Sequence, residues 1–206
     1  MNMELLNRRK QSGFTLVEIA IVLVIIGLLV GGVLKGREMI TKAKIKRVEN
    51  DFAGVSAAIY AYQDRYGVLP GDDPAASTRF AGTWGGTDDG DGDGDIEGGW
   101  DATTNNSESR LMWKHLRGAG LVGGPVDNTD QSYQQPTNSF GGLVGVDADL
   151  YNLTVDNIVF GDVPGDIAAI LDGRGDDGNP TTGTIQGHAT DTSYALDTQY
   201  DIAFRN

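Results

Sequence analysis

Arg8-Arg9-Lys10-Gln11-Ser12-Gly13-Phe14-Thr15-Leu16-Val17-Glu18 leads into an apolar run that continues to Leu34 with Glu18 as its only charge. From Leu16 to Leu34 the run is 19 residues, long enough at about 1.5 Å per residue to cross the hydrocarbon of a bilayer as a helix. A carboxylate in such a span costs about 2.5–3.5 kcal/mol on insertion scales, less near the interface, and usually has a functional partner. A secretory signal peptide would pair a short apolar region with a small-x-small cleavage site. Here the run is long, and Lys35 and Arg37 follow directly. A plain transmembrane anchor accounts for the length but leaves the carboxylate unexplained.

A third reading accounts for both. The basic leader, Gly13 before Phe14, Glu18 four residues after Phe14 and the uninterrupted apolar stretch resemble the leader and cleavage motif of type IV pilins and type II secretion pseudopilins, over roughly residues 8–40. The resemblance implies that a membrane prepilin peptidase cuts between Gly13 and Phe14 and methylates Phe14. It also implies that Glu18 partners the terminal amine of a neighbouring subunit. Electrostatics supports that pairing independently. Cleavage creates an α-amine on Phe14, a group that ordinarily titrates at about 7.7–8.0 and is largely protonated at neutral pH. Attraction strengthens as the dielectric falls, so a Phe14–Glu18 pair between subunits favours assembly and sets axial register.

Charge counting does not orient the span. Arg8, Arg9 and Lys10 precede it, while Lys35, Arg37, Lys42, Lys44, Lys46 and Arg47 follow. The motif implies a bacterial inner-membrane protein with a cytoplasmic leader, a single pass and a periplasmic head, which after assembly lies in a periplasmic or extracellular filament. Expected partners are the chain itself or other pilins, prepilin peptidase and the inner-membrane assembly machinery. The basic stretch after the span suits anionic headgroups before assembly.

Proline is absent before Pro70, so nothing obvious stops the helix. Ile45, Val48, Phe52, Val55, Ile59, Tyr62 and Tyr66 recur at steps of three and four and make one apolar face. Residues 14–65 then form one helix of about 78 Å, apolar all round in its first half and one-sided in its second. Gly27-xxx-Gly31 and Gly32-xxx-Gly36 are either close-packing surfaces or ordinary membrane-helix glycines. Many type IV pilins carry a kinking proline here; Gly31, Gly32 and Gly36 offer a local weak point instead.

The chain of 206 residues has a formal charge of -13, and loss of Met1–Gly13, with three basic residues and one acidic, leaves a net of -15. Basic residues crowd the first 50 positions and the remainder is acidic. That balance opposes a nucleic-acid surface, which needs clustered Lys and Arg. There is no cysteine, so disulfides, thiolate metal sites and cysteine catalysis are excluded. The 30 glycines fall mainly after residue 80, which predicts a turn-rich body with long loops.

Within that body Asp89, Asp91, Asp93, Gly94, Asp95, Ile96 and Glu97 match the first nine positions of an EF-hand-like calcium loop: oxygens at alternate residues, a glycine for the turn, then an apolar residue. Trp100 stands in the twelfth place in lieu of a bidentate Glu, and Asp101 is one residue late. Two readings stay open, a calcium site formed by Asp89, Asp91, Asp93, Asp95, Glu97 and Asp101, and a solvated acidic loop. Major pseudopilins commonly use calcium to hold a loop, so the resemblance points to calcium as cofactor. Trp84 and Trp100 flank the loop and suggest packing.

Ser107–Arg117 reads as a helix with Ser107 as N-cap and Leu111, Trp113 and Leu116 for the core. Gly118-Ala-Gly120-Leu-Val-Gly123 follows a helix rather than a strand and reads as a helix stop, not a dinucleotide loop. Residues 140–146 and 157–161 are strand-like, Val163–Leu171 reads as a short helix after Pro164, and Gly183–Gln186 and Thr198–Phe204 read as edge strands. Asp172–Pro180 is a second acidic turn, whose Asp176 and Asp177 either supplement a metal site or are exposed. His115 reads as a surface or capping residue. With His115 and His188 as the only histidines and no nucleophile motif, no catalytic residue is assigned and an enzyme is not expected.

The expected fold is α+β, a long N-terminal helix packed on a small antiparallel sheet with long loops. Its divisions are a cleaved leader (1–13), a membrane and assembly helix (14–36), an amphipathic half-helix (37–66) and a pilin-like head (67–206). The expected function is a structural filament subunit, with a minor tip pilin or adhesin-type binding module as the alternative.

Overall fold

A computed structural model describes residues 13–81, 89–127, 129–151, 153, 156–187 and 192–206. The leader before Gly13, Trp84 and His188 lie outside them. By its internal contacts the chain divides into two units, Met1–Ala43 and Lys44–Asn206.

The first unit is the opening part of helix α1 (Leu16–Tyr66), which is unbroken through Gly31, Gly32 and Gly36. Every apolar side chain from Leu16 to Leu34 is exposed. Such a surface is stable only in lipid or against other helices. By length and composition α1 can cross a membrane.

In the second unit the rest of α1 turns one face inward. Ile45, Val48, Val55, Ile59 and Tyr62 are buried, with Phe52 and Tyr66 packed at the margin, as the three- and four-residue spacing requires. Helices α2 (Ala76–Arg79) and α3 (Glu108–Gly118), a 3-10 turn (Asp130–Ser132), strands β1 (Val144–Asp147) and β2 (Asn157–Pro164), helix α4 (Gly165–Gly175) and strands β3 (Ile185–Gly187) and β4 (Gln199–Arg205) follow. The strands form one antiparallel sheet in the order β1-β2-β4-β3.

Alternation along the strands sorts the sheet's two faces. Ile158, Phe160, Ile202 and Phe204 join the main core with α1, α3 and α4, and Phe52 of α1 lies 5.1 Å from Phe204. Val159 and Ala203 point the other way, into a small second cluster with Leu153, Trp100, Leu150 and Tyr151. Trp100 reaches the sheet because Gly145 and Gly161 leave room; a Cβ at Gly145 would sit 2.1 Å from the Trp100 carbonyl oxygen.

Three expectations need correction. The segment expected as an edge strand at Thr198–Phe204 is β4, an interior strand paired on both sides. Its Tyr200, Ile202, Ala203 and Phe204 are all buried, which an edge position would not require. Val163 belongs to β2 rather than to the following helix, which starts after Pro164. His115 is fully buried rather than on the surface. Lys114 and Arg117 are buried beside it because the segment around Tyr133 covers what reads as the polar face of α3. Lys114 Nζ donates to the Tyr133 hydroxyl at 2.8 Å, and Arg117 donates to the carbonyls of Ser132 and Gln134 at 2.6 and 2.7 Å.

Candidate functional site

At the start of α1, Thr15 and Glu18 form a reciprocal cap. The Thr15 amide and hydroxyl each donate to Glu18 Oε2 at 2.8 Å, and the Glu18 amide donates to Thr15 Oγ1 at 3.2 Å. The spacing is that of a capping box, in which each side chain satisfies an amide that the first helical turn leaves without a partner. The Thr-x-x-Glu pattern carried this signal in the sequence. Glu18 therefore has a local role as well as a charge. Gly13 and Phe14 precede the helix and are exposed.

The acidic loop is built around two carboxylates from outside it. Asp72, 2% exposed in the turn after α1, accepts hydrogen bonds from the amides of Gly92, Asp93 and Gly94. Glu108, in the first turn of α3, accepts from the amides of Asp91 at 2.9 Å and Glu97 at 3.1 Å. Ile96, 1% exposed, anchors the loop in the core.

The turn that carries Asp72 is itself fastened to both helices. The Gly71 amide donates to His115 Nδ1 at 2.9 Å. Asp73 accepts from the Tyr62 hydroxyl at 2.6 Å and from the Arg79 guanidinium at 3.0 and 3.1 Å.

Of the six acids expected at a calcium site, the structure brings together Asp91, Asp93 and Glu97, which each offer an oxygen within 4.8 Å of the others. Asp72, Asp91 and Glu108 meet the same criterion. Asp89 is drawn away, accepting from the amide and hydroxyl of Ser77 at 2.7 Å each. Asp95 shares an open depression with Glu97, Asp147 and Asp149, and Asp101 is exposed and in neither group. Trp100, in the twelfth place, packs on the sheet and donates its amide to Asp147 at 3.2 Å. Sequence spacing alone could not find Asp72 and Glu108. Asp72 lies 20 residues before Gly92 and Glu108 lies 11 residues after Glu97, in two separate elements.

Charge is crowded here. Burial raises the pKa of Asp72, opposed by the amides of Gly94, Gly92 and Asp93. Burial likewise raises Glu108, opposed by the Asp91 and Glu97 amides, while the charges of Asp72 and Asp91 push it further up. Asp156 is pushed up to about 6 by burial and by the charges of Asp95 and Asp72. Asp73 behaves oppositely: burial raises it, but the bonds from Arg79, Tyr62 and the Ala75 amide outweigh burial and leave it lowered. Each carboxylate oxygen has two lone pairs, so an amide on one leaves it able to bind a cation. An all-oxygen, anionic donor set of this kind fits a hard divalent ion, calcium better than zinc.

A second acidic group joins Asp172 of α4 to Asp176 and Asp177, which follow that helix on the way to β3. Its carboxylates accept from Gly178, Tyr194, Thr184, Ile185, Asn179 and Thr182, so they organise the turn there. Asp176 and Asp177 do not join the group around Asp91.

Residues 8–34 match a family model described as the prokaryotic N-terminal methylation motif. The match bears out the prepilin-type resemblance at the segment that carries Gly13, Phe14 and Glu18. No curated protein and no solved structure matches the chain.

Proposed function

We propose that this chain, a prepilin-type protein by its N-terminal motif, is a structural subunit of a type II secretion pseudopilus or a type IV pilus-like filament. Prepilin peptidase cuts between Gly13 and Phe14, and the subunits polymerise through residues 14–36. The reading is carried by the methylation motif standing on a helix whose apolar side chains from Leu16 to Leu34 are exposed among the described residues. Before assembly the span rests in the inner membrane, with the head of residues 67–206 on the periplasmic side. In the filament, the Phe14 amine of one subunit meets Glu18 of the next. Thr15 holds that carboxylate in place, and the low dielectric strengthens the pair.

Asp91, Asp93 and Glu97, backed by Asp72 and Glu108, would hold a calcium ion. The ion would supply positive charge to carboxylates whose pKa values burial raises first and neighbouring acids raise further. The exposed carboxylates of the same loop favour a second reading, a minor tip subunit whose acidic face meets a partner. In that case the subunit occurs sparingly and at filament ends.

The intact mass and N-terminal sequence of the protein from its own cells test processing. Methylated Phe14 as first residue is expected, and a functional protein that keeps Met1–Gly13 would overturn the filament reading. Two variants then separate the roles of Glu18. Glu18→Gln keeps the cap and loses the charge, whereas Glu18→Ala loses both. Both should insert in the membrane and fail to assemble; normal filaments of Glu18→Gln would reduce Glu18 to a helix cap. A calcium titration of the thermal midpoint tests the metal, and a midpoint unchanged by chelator removes it.

A further inference from the structure

Beyond Tyr66 the chain has six cations: Arg79, Arg110, Lys114, Arg117, Arg174 and Arg205. Four are taken up internally, Arg79 by Asp73, Arg110 by the Thr103 carbonyl, Lys114 by Tyr133 and Arg117 by the Ser132 and Gln134 carbonyls. The other two, Arg174 and Arg205, are both exposed and rim one groove of about 360 Å³ between α1, α4 and the β3–β4 edge. Phe52, Leu171, Ile185 and Phe204 line its floor.

The acids nearby are already engaged. Glu49 is shared between Lys46 at 3.1 Å and Arg174 at 3.5 Å. Asp176 accepts from the amides of Thr184 and Ile185. Arg205 makes no side-chain hydrogen bond or ion pair among the described residues. On a chain with a net charge of -13, this groove is an apolar slot with two arginines, Arg174 and Arg205, and one carboxylate, Glu49, around it.

The complementary feature lies on the same unit. Leu196 is 68% exposed, the most exposed large apolar side chain in the second unit, and exposed Asp197 stands beside it. The Gly165 amide donates to the Thr198 carbonyl at 2.8 Å, which fixes this corner at the N-terminal end of α4. Leu171, Arg174 and Gly175 put the groove at the other end of the same helix, about 15 Å away by helical rise. A knob and a slot at opposite ends of one element cannot meet within a molecule. Between copies they would make a heterologous contact, which repeats head to tail and extends as an open filament unless its rotation closes a ring.

We propose that this groove takes the Leu196–Asp197 corner of a second copy of the chain, Leu196 on the apolar floor and Asp197 against Arg174 and Arg205. The proposal rests on the filament reading and adds to it a contact between heads, independent of the N-terminal helices.

The chain has no cysteine, so a paired exchange gives a clean readout. Thr184 lines the groove and is exposed, as is Leu196, so neither exchange removes core packing. Filaments sheared from cells expressing Thr184→Cys/Leu196→Cys, oxidised and run without reductant, should give a ladder of covalent oligomers. Each single variant should stay monomeric, and the two singles co-expressed should stop at dimers. Asp197→Lys should lower the pelletable fraction about tenfold, as like charges meet, and Arg174→Glu/Arg205→Glu in the same chain should restore it. Pelletable filaments of the double-cysteine variant that remain monomeric would overturn the contact and leave the filament reading intact. If wild-type protein yields no filament at all, the filament reading fails and this contact with it.

Discussion

Replacing Asp72 by alanine should loosen the acidic loop more than any single change within the loop itself. Asp72 is 2% exposed and accepts three loop amides, from Gly92, Asp93 and Gly94. A hydrogen bond to a charged acceptor contributes about 1.5–3 kcal/mol, so three give a gross of about 4.5–9 kcal/mol. Two effects offset this. Residues 92–94 are exposed, so water reaches the freed amides, and the variant no longer keeps a carboxylate buried against its desolvation cost. A net loss of roughly 2–4 kcal/mol remains, which for a chain of this size lowers the melting midpoint by about 4–16 °C. The assay is thermal unfolding of the full chain in detergent, followed by near-ultraviolet signal with chelator present, beside Asp64→Asn as an exposed control expected within about 0.5 kcal/mol of wild type. If Asp72→Ala melts within that margin too, the carboxylate does not hold the loop. Added calcium should widen the gap between wild type and variant, because Asp72 also backs the proposed ion.

Other consequences can be measured on the same material. Asp156, held at about 6 in the fold against the ordinary 3.8 of an aspartate carboxyl, binds its proton more tightly folded than unfolded. Its ionisation therefore withdraws stability as pH rises from about 4 to about 6, by about 1–2 kcal/mol after allowance for its partial exposure. With chelator present Asp156→Asn should flatten that slope, and an unchanged slope would assign it elsewhere. Asp73 has the opposite sign: its lowered pKa gives stability that is present above about pH 4 and lost as pH falls through its folded value. Arg79→Met should cost about 2–3 kcal/mol by urea unfolding, since it removes the cation from a fully buried Asp73; a loss below about 0.5 kcal/mol would mean Tyr62 and the Ala75 amide satisfy that carboxylate. Gly145→Ala should cost about 1–3 kcal/mol, because its Cβ would press on the Trp100 backbone, and a neutral result would show that the loop moves aside freely.

The long helix and the membrane segment were legible because both are local. An apolar run has one length, an amphipathic face has one period, and residues 8–34 state their motif without reference to anything distant. The same locality made Asp91, Asp93 and Glu97 readable as neighbours, since alternate residues of a turning loop stay close. It also misled at Asp89 and Asp95, where spacing is regular but Ser77 and an open depression take them, and at Asp101, one residue out of place.

Tertiary structure decided which charges are buried and what they hold. Asp72 and Glu108 meet the loop only because the turn after α1 and the start of α3 converge on it. Lys114, His115 and Arg117 read as a polar face until the Tyr133 segment covers Lys114 and Arg117 and the turn after α1 meets His115. Thr198–Phe204 looks like any short strand, and its interior place follows from having partners on both sides. Periodicity and local chemistry are written along the chain; burial, and with it the strength of each charge, depends on which distant segment arrives to exclude water.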